Sequence, residues 1–373
     1  MHHDGQTRSN VGLRRRRAST SLAAAAAVAV LGVRSAFGFG EFPSKVPVPA
    51  DNPMTPAKIA LGKQLYFDPR ISLSGTVSCN SCHDVAGNGT NNLPQSFGVF
   101  GRLDLPRTTP TVFNAAFNTV QFWDGRARSL EQQIEGPTTN PVEMGMPSHE
   151  AVANRVKRIA GYRAEFAEVF GGRDPITFDH VAKAIAAFER TLVTPNSPYD
   201  RYLKGDTAAM STAAREGMKL FSSAGCDACH GGPMFDNPGL PMGTGWYRRF
   251  PMQPAYPLCA GFVRTYHLAG DLGRFGVTHD PADKAFFRVP SLRNVALTAP
   301  YFNYGTVQNL HDAVRVMGAC QLGKTLTAAQ VNELVAFLDS LTGQFPKITL
   351  PRLPQTRNTT LLMPVPELAK AAK

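Results

Sequence analysis

Two copies of one short pattern constrain this 373-residue chain more than any other feature: Cys79-Asn80-Ser81-Cys82-His83 and Cys226-Asp227-Ala228-Cys229-His230. Cys-x-x-Cys-His is the attachment motif of c-type haem. Two thiols one helical turn apart can form thioethers to both vinyl groups of one porphyrin, and the following imidazole then coordinates the iron. A lone Cys-x-x-Cys also serves zinc or redox chemistry. Two copies, each followed by His, point instead to two covalently bound haem c groups. Cys79, Cys82, Cys226 and Cys229 are then the attachment residues, and His83 and His230 the iron ligands.

The duplication extends upstream. Gly62-Lys63-Gln64-Leu65-Tyr66 precedes the first motif and Gly217-Met218-Lys219-Leu220-Phe221 the second. Both read Gly-x-x-Leu-aromatic in an amphipathic stretch, the way a small cytochrome c begins. A late helix is predicted after Thr327-Ala328-Ala329-Gln330, which has capping-box form, with Val331, Leu334, Val335, Leu338 and Leu341 at helical spacing. Strand signals are sparse, so the class is mainly α. We expect two cytochrome c-like helical domains, 39–205 and 206–345. Pro195 and Pro198 between them should stop a helix running Asp179–Val193. Residues 231–260 are Gly/Pro-rich and read as a long loop beside the second haem. Residues 346–373 contain five prolines and read as an extended tail over the body.

The net charge of +11 suggests a nucleic-acid or membrane partner until it is located. Residues 1–38 hold six arginines against one aspartate, +5 of the total, leaving +6 for the rest. Arg14–Arg17 precede an apolar run from Leu22 to Val33 and then Ser35-Ala36-Phe37-Gly38. A basic region, a short apolar core and small residues at a cleavage site read as a secretory signal peptide over 1–38. The apolar run is too short for a bilayer core of about 30 Å. The mature protein is therefore expected to be periplasmic, with no transmembrane segment and no nucleic-acid partner. Export also bears on Cys259 and Cys320, the two cysteines outside the motifs. A disulfide between them is expected in an oxidising compartment, two buried thiols being the alternative.

A c-type haem is completed by a second axial ligand or left with an open face, and that choice decides between electron transfer and small-ligand chemistry. Leu310, Val314 and Met317 share one face of a short helix predicted from Asn309. Taken alone, a Met on such a face is ordinary core.

Several further stretches carry a resemblance: Leu61-Gly62-Lys63 with Asp68-Pro69-Arg70, Pro110-Thr111-Val112-Phe113-Asn114-Ala115, Gln121-Phe122-Trp123-Asp124-Gly125-Arg126, Pro141-Val142-Glu143-Met144, and Val289-Pro290-Ser291-Leu292-Arg293-Asn294 followed by Leu297-Thr298-Ala299-Pro300-Tyr301-Phe302. Over about residues 53–345 the chain resembles the bacterial di-haem cytochrome c peroxidase family, which includes the MauG-type di-haem enzymes. The resemblance implies Met317 as the second ligand of an electron-transfer haem, where MauG-type enzymes have Tyr. It implies Trp123 as a relay between the haems, and Gln133 and Glu143 as the polar pair above a peroxidatic haem, where the carboxylate moves a proton while the O–O bond breaks. An interdomain calcium on the Thr298 and Pro300 carbonyls and a homodimer are further implications.

The chain departs from the family pattern in three places. Gly98-Val99-Phe100-Gly101-Arg102 stands where many members carry a His-containing loop that caps the peroxidatic iron, and no His occurs from Asp84 to Ser148. The first haem is thus expected to be open, or closed by Met144, Met146 or a more distant His. Tyr301-Phe302-Asn303 replaces the usual Tyr-Phe-His, and Thr108 takes the calcium-binding asparagine's position. His149, His180, His267, His279 and His311 match no ligand spacing. The reading is an exported peroxidase that reduces hydrogen peroxide to water with electrons from a small cytochrome c or a cupredoxin. The alternatives are a MauG-type oxidase of a protein or organic substrate and a non-catalytic di-haem electron carrier.

Overall fold

The computed structural model describes residues 39–103, 107–252, 255–357 and 360–361, so the expected signal peptide lies outside the described residues. Twelve helices follow in chain order among them: α1 Pro56–Phe67, α2 Cys79–Cys82, α3 Leu130–Thr139, α4 His149–Lys157, α5 Ala160–Phe170, α6 Phe178–Glu189, α7 Pro198–Leu203, α8 Thr212–Ala224, α9 Cys259–Tyr266, α10 Phe275–Thr278, α11 Leu310–Gln321 and α12 Ala328–Asp339. Strands β1 Tyr247–Arg249 and β2 Phe286–Arg288 form an antiparallel pair. The class is mainly α, as expected.

Two helix pairs organise the two halves, and one residue type fixes both. α1 crosses α6 at Gly62, where a Cβ would overlap the carbonyl oxygen of Ala184. α8 crosses α12 at Gly217, where a Cβ would overlap that of Glu333. The glycine shared by the two copies of the Gly-x-x-Leu-aromatic repeat is therefore a close-approach requirement. Tyr66 and Phe221, four residues on, are both buried beneath the crossing. α12 starts as predicted, with Thr327 and Gln330 forming a reciprocal capping box.

The repeat continues where no local motif announces it. Asn114 and Asn294 both adopt left-handed backbone before a single 3-10 turn. Both amide groups donate to the Thr194 hydroxyl, at 2.7 and 2.8 Å. Further on, Gln121 bridges Ala127 and Tyr301 bridges Val307, closing two matching turns. The halves exchange contacts there: Arg288 N donates to the Trp123 carbonyl and Thr108 N to the Asn303 carbonyl, each at 2.8 Å. Trp123 and Asn303 are thus counterparts.

α6 ends at Glu189, four residues before the expected Val193. Thr194 is gripped by both asparagines, and the Leu192 carbonyl accepts from Asn114 N, which draws the chain out of the helix before either proline. Pro198 does not stop a helix; it opens α7 at its first turn. Residues 231–260 are largely loop as expected, with β1 and the start of α9 inside them.

One apolar core is built on α1 and α3 to α6, the other on α8, α11 and α12. Tyr199, Tyr202 and Leu203 of α7 pack in the second core, as does Phe39. We therefore propose a boundary near residues 194–197, ahead of the expected 205/206. The tail runs the other way, with Ile348 and Leu361 packing on the first core. A third, smaller core surrounds Cys259 and Cys320, which are joined as the expected disulfide. Among the described residues no helix is long and apolar enough to cross a membrane.

Candidate functional site

Each Cys-x-x-Cys-His motif is wound so that the histidine N–H closes back on the first cysteine. His83 N donates to the Cys79 carbonyl at 2.9 Å, and His230 N to the Cys226 carbonyl at 3.0 Å. That places the two sulfurs of each motif about one turn apart. None of the four motif cysteines is joined in a disulfide, which leaves all four sulfurs for attachment. Burial pushes Cys226 up to about 12 and Cys79 further in the same direction. Among the described residues no group of three or more His, Cys, Asp and Glu side chains is placed to hold a bare metal ion.

Both imidazoles are prepared as ligands through the same nitrogen. His83 Nδ1 donates to the Pro110 carbonyl at 2.9 Å, and His230 Nδ1 to the Phe235 carbonyl at 2.9 Å. With Nδ1 committed to a carbonyl, Nε2 carries the lone pair. Burial lowers both basicities and favours the neutral ring that a metal requires. The donor set and its tautomers fit haem c at both motifs.

A mainly apolar cavity adjoins the second motif. Cys226, Cys229 and His230 line it on one side; Met317 and Val314 of α11 and Leu334 and Leu338 of α12 line it on others. Asn309 caps α11, accepting from Asp312 N, and so fixes Met317 in the helix's third turn. The structure therefore brings Met317 and His230 to one cavity.

Trp123 reaches the same cavity. Its indole N–H donates to the Thr108 carbonyl at 2.9 Å, and its own carbonyl accepts from Arg288 N. Two residues beyond Thr108 is Pro110, which holds His83; two beyond Arg288 is Pro290, whose backbone faces His230. Trp123 thus joins the two segments that position His83 and His230. The rest of its motif builds this turn. Gly125 has φ +67° and lies against the Tyr247 ring, so only glycine fits. Asp124 accepts from Arg126 and from Arg107 at 2.6 Å, and Arg107 also pairs with Asp271 at 2.7 Å. Asn303, where the peroxidases have His, is buried and donates to Asp271 at 2.9 Å.

The peroxidatic candidates belong to the first half. Gln133 is half-buried on α3, and Glu143 lies in the turn after that helix. Glu143 Oε1 accepts from Asn140 Nδ2 at 2.6 Å, which orients the carboxylate. Its carbonyl accepts from Val99 N at 2.8 Å, tying the Gly98–Arg102 turn to it. Gly98 is required there, because a Cβ would overlap the Val142 carbonyl. Met144 and Met146 are both buried in the first core. His149 stacks on Phe178 and His180 on Phe170, each ring also hydrogen-bonded to a carbonyl.

Thr108 holds the position of the expected calcium-binding asparagine and is engaged elsewhere. Thr108 donates its hydroxyl to the Leu93 carbonyl at 3.0 Å. Asn92 Nδ2 instead donates to the Ala299 and Leu297 carbonyls, at 2.6 and 3.2 Å, on the positions that alternate with Thr298 and Pro300. Two further residues escaped sequence reasoning. Trp246 donates its indole N–H to the Cys229 carbonyl at 3.1 Å beneath the Arg248 guanidinium, and Glu189 is buried near Cys79. A second tryptophan close after the second motif was the available signal for the first; the alignment of α6 with α12 was the signal for the other.

Fold and site together define a di-haem c-type cytochrome. The family pattern described as di-haem cytochrome c peroxidase matches residues 56–208. The chain is 43% identical over 324 residues to a cytochrome c551 peroxidase of Pseudomonas aeruginosa, covering 86% of this chain and 89% of that one. It is 37% identical over 330 residues to a methylamine utilization protein MauG of Methylorubrum extorquens, covering 84% and 86%. Among solved structures, a MauG-like protein associated with microbial copper homeostasis aligns with a TM-score of 0.68 at 30% identity, covering 81% of this chain and 95% of that one. The chain belongs to the di-haem cytochrome c peroxidase family. It is accordingly an oxidoreductase of the peroxidase class, with two haem c cofactors.

Proposed function

We propose that this chain reduces hydrogen peroxide to water in the periplasm, with electrons from a small cytochrome c or a cupredoxin. Cys79, Cys82 and His83 hold the peroxidatic haem, and Cys226, Cys229, His230 and Met317 the electron-transfer haem. When bound, these groups supply the iron chemistry of peroxide cleavage and the one-electron carriers that feed it. The protein's own work is placement and proton transfer. Glu143, oriented by Asn140, takes a proton from the near peroxide oxygen and returns it to the far one as the bond breaks. Gln133 orients the peroxide. Trp123 couples the two sites.

The observation that carries this reading is the hydrogen-bonded route His83–Pro110, Thr108–Trp123–Arg288 and Pro290–His230. An electron path is built between two ligand sets of different kind. Met317 in place of the MauG-type Tyr favours a small electron-transfer donor over oxidation of a protein substrate. Calcium is given no step, because Thr108 is engaged with Leu93 and the Asn92 amide spans the neighbouring carbonyls directly. Homodimerisation is a proposal from the resemblance alone, read out by light scattering on the haem-loaded protein.

The test is the rate of peroxide-dependent oxidation of a reduced small cytochrome c. Glu143→Gln should lower turnover by about 10²–10⁴-fold with both haem spectra intact. Unchanged turnover removes the proton-transfer role. No turnover in the unaltered enzyme, with an iron that still reacts with peroxide, moves the reading to a MauG-type oxidase.

A further inference from the structure

Gly62 over Ala184 and Gly217 over Glu333 are the same contact made twice, so they set α6 and α12 in register. In that register Ile185 falls on Leu334, Phe188 on Phe337 and Leu192 on Leu341, and all six side chains are apolar and buried. The exception is Glu189, which falls on Leu338. Leu338 lines the haem-2 cavity. Glu189 is only 6% exposed, and its Oε2 has no hydrogen-bond partner. An apolar wall position of one half has become an ionisable one in the other.

We propose that Glu189 forms part of the wall of the haem-1 site and takes up a proton when that site is reduced. The inference rests on the reading of Cys79, Cys82 and His83 as a haem site. One electron, supplied by the donor of the peroxidase reaction, goes to the iron. One proton passes from solvent to the Glu189 carboxylate, which becomes a neutral acid, and no other bond is made or broken.

The surroundings favour this coupling. From α1, Tyr66 feels the Glu189 charge while its hydroxyl donates to the His83 carbonyl at 2.6 Å. From α2, Cys79 feels it too. From α3, Glu131 faces it as a second negative charge. The neighbouring cation Arg190 is already held by Glu131 at 2.7 and 3.1 Å. Among the described residues no free cation is left to hold Glu189 in its ionised form, and burial pushes its carboxyl up to about 8. Positive charge on an oxidised iron works the other way, so oxidation releases the proton and reduction recovers it.

The experiment is a spectroelectrochemical titration of both haems in the full, haem-loaded chain across the neutral and alkaline range. Haem content is counted first: a chain with one haem and free thiols at Cys79 and Cys82 overturns the site assignment itself. With two haems, the haem-1 reduction equilibrium should fall by about tenfold per pH unit where one proton accompanies one electron. Glu189→Gln should abolish that slope and leave the haem-2 titration unchanged. Redox-difference infrared spectra should show a carboxylic-acid band on reduction that the Gln variant lacks. Glu189→Leu, which copies the second half, guards against poor haem loading of the Gln variant. A slope that survives in either variant, or an infrared band that survives in both, overturns the proposal.

Discussion

The segment around Cys79–His83 and the segment around Cys226–His230 start from the same parts. Each has a glycine-pinned helix crossing, a histidine whose N–H closes on the first cysteine, and an Nδ1 committed to a carbonyl. They differ in what else the chain brings near. The second motif opens onto an apolar cavity that Met317 also lines. The first half instead supplies Glu143, held by Asn140, a histidine-free turn at Gly98–Arg102, and Glu189 where the second half has Leu338. A shared attachment module is thus set among different neighbours in the two halves. The same alignment that matches the two crossings puts a buried carboxylate in one half and a buried leucine in the other.

The equivalence of the two crossings can be broken most severely at the glycines. Gly62→Val and Gly217→Val should each destabilise the fold by about 3 kcal/mol or more, because the overlapped atoms are backbone carbonyls of the facing helix. Thermal melts of the haem-loaded variants check it, and a mild effect at one site alone would show that the crossings are not equivalent. The contrast in iron environment is sharpened by Met317→Ala. That change should convert haem 2 to a high-spin ferric spectrum and lower donor-driven turnover by about 10²-fold, with haem 1 unchanged. An unaltered haem-2 spectrum would remove Met317 as a ligand.

A smaller effect concerns pH. The Glu189 carboxyl is raised from 4.5 to about 8 in the folded chain, so the folded state holds its proton more tightly than the unfolded one. Stability from this group is complete below pH 4.5 and is lost as pH rises towards 8. Glu189→Gln should therefore match the unaltered protein in acid and exceed it by about 1–3 kcal/mol above pH 8, measured by denaturant unfolding. Leu338→Gln should show no such pH dependence. The smallest effect is expected at Asn92→Ala, about 1 kcal/mol from two lost hydrogen bonds across the halves.

The sequence was most legible where chemistry or close packing restricts a position to one residue type. The haem motifs, the Gly-x-x-Leu-aromatic repeat and the capping box at Thr327 are local patterns with one physical cause each. The end of α6 was not legible, because Asn114 and Asn294, distant in sequence, hold Thr194 and outcompete helix propagation. Trp246 and Glu189 were missed for a related reason. A half-buried indole or a carboxylate at the end of a helix has no sequence pattern of its own. Its meaning comes from the carbonyl it meets or from the residue at the same place in the other half.

Two segments cross over between the halves. Phe39, among the first described residues, packs against Tyr199, Phe221, Phe235 and Phe337 in the second core. Phe345 packs edge-on against Phe113, and Ile348 and Leu361 join the first core. The first core is thus closed by a segment from beyond the second, and the second core by a segment from before the first. A cut between the halves would strip each core of its closing residues, so neither half carries all of its own packing.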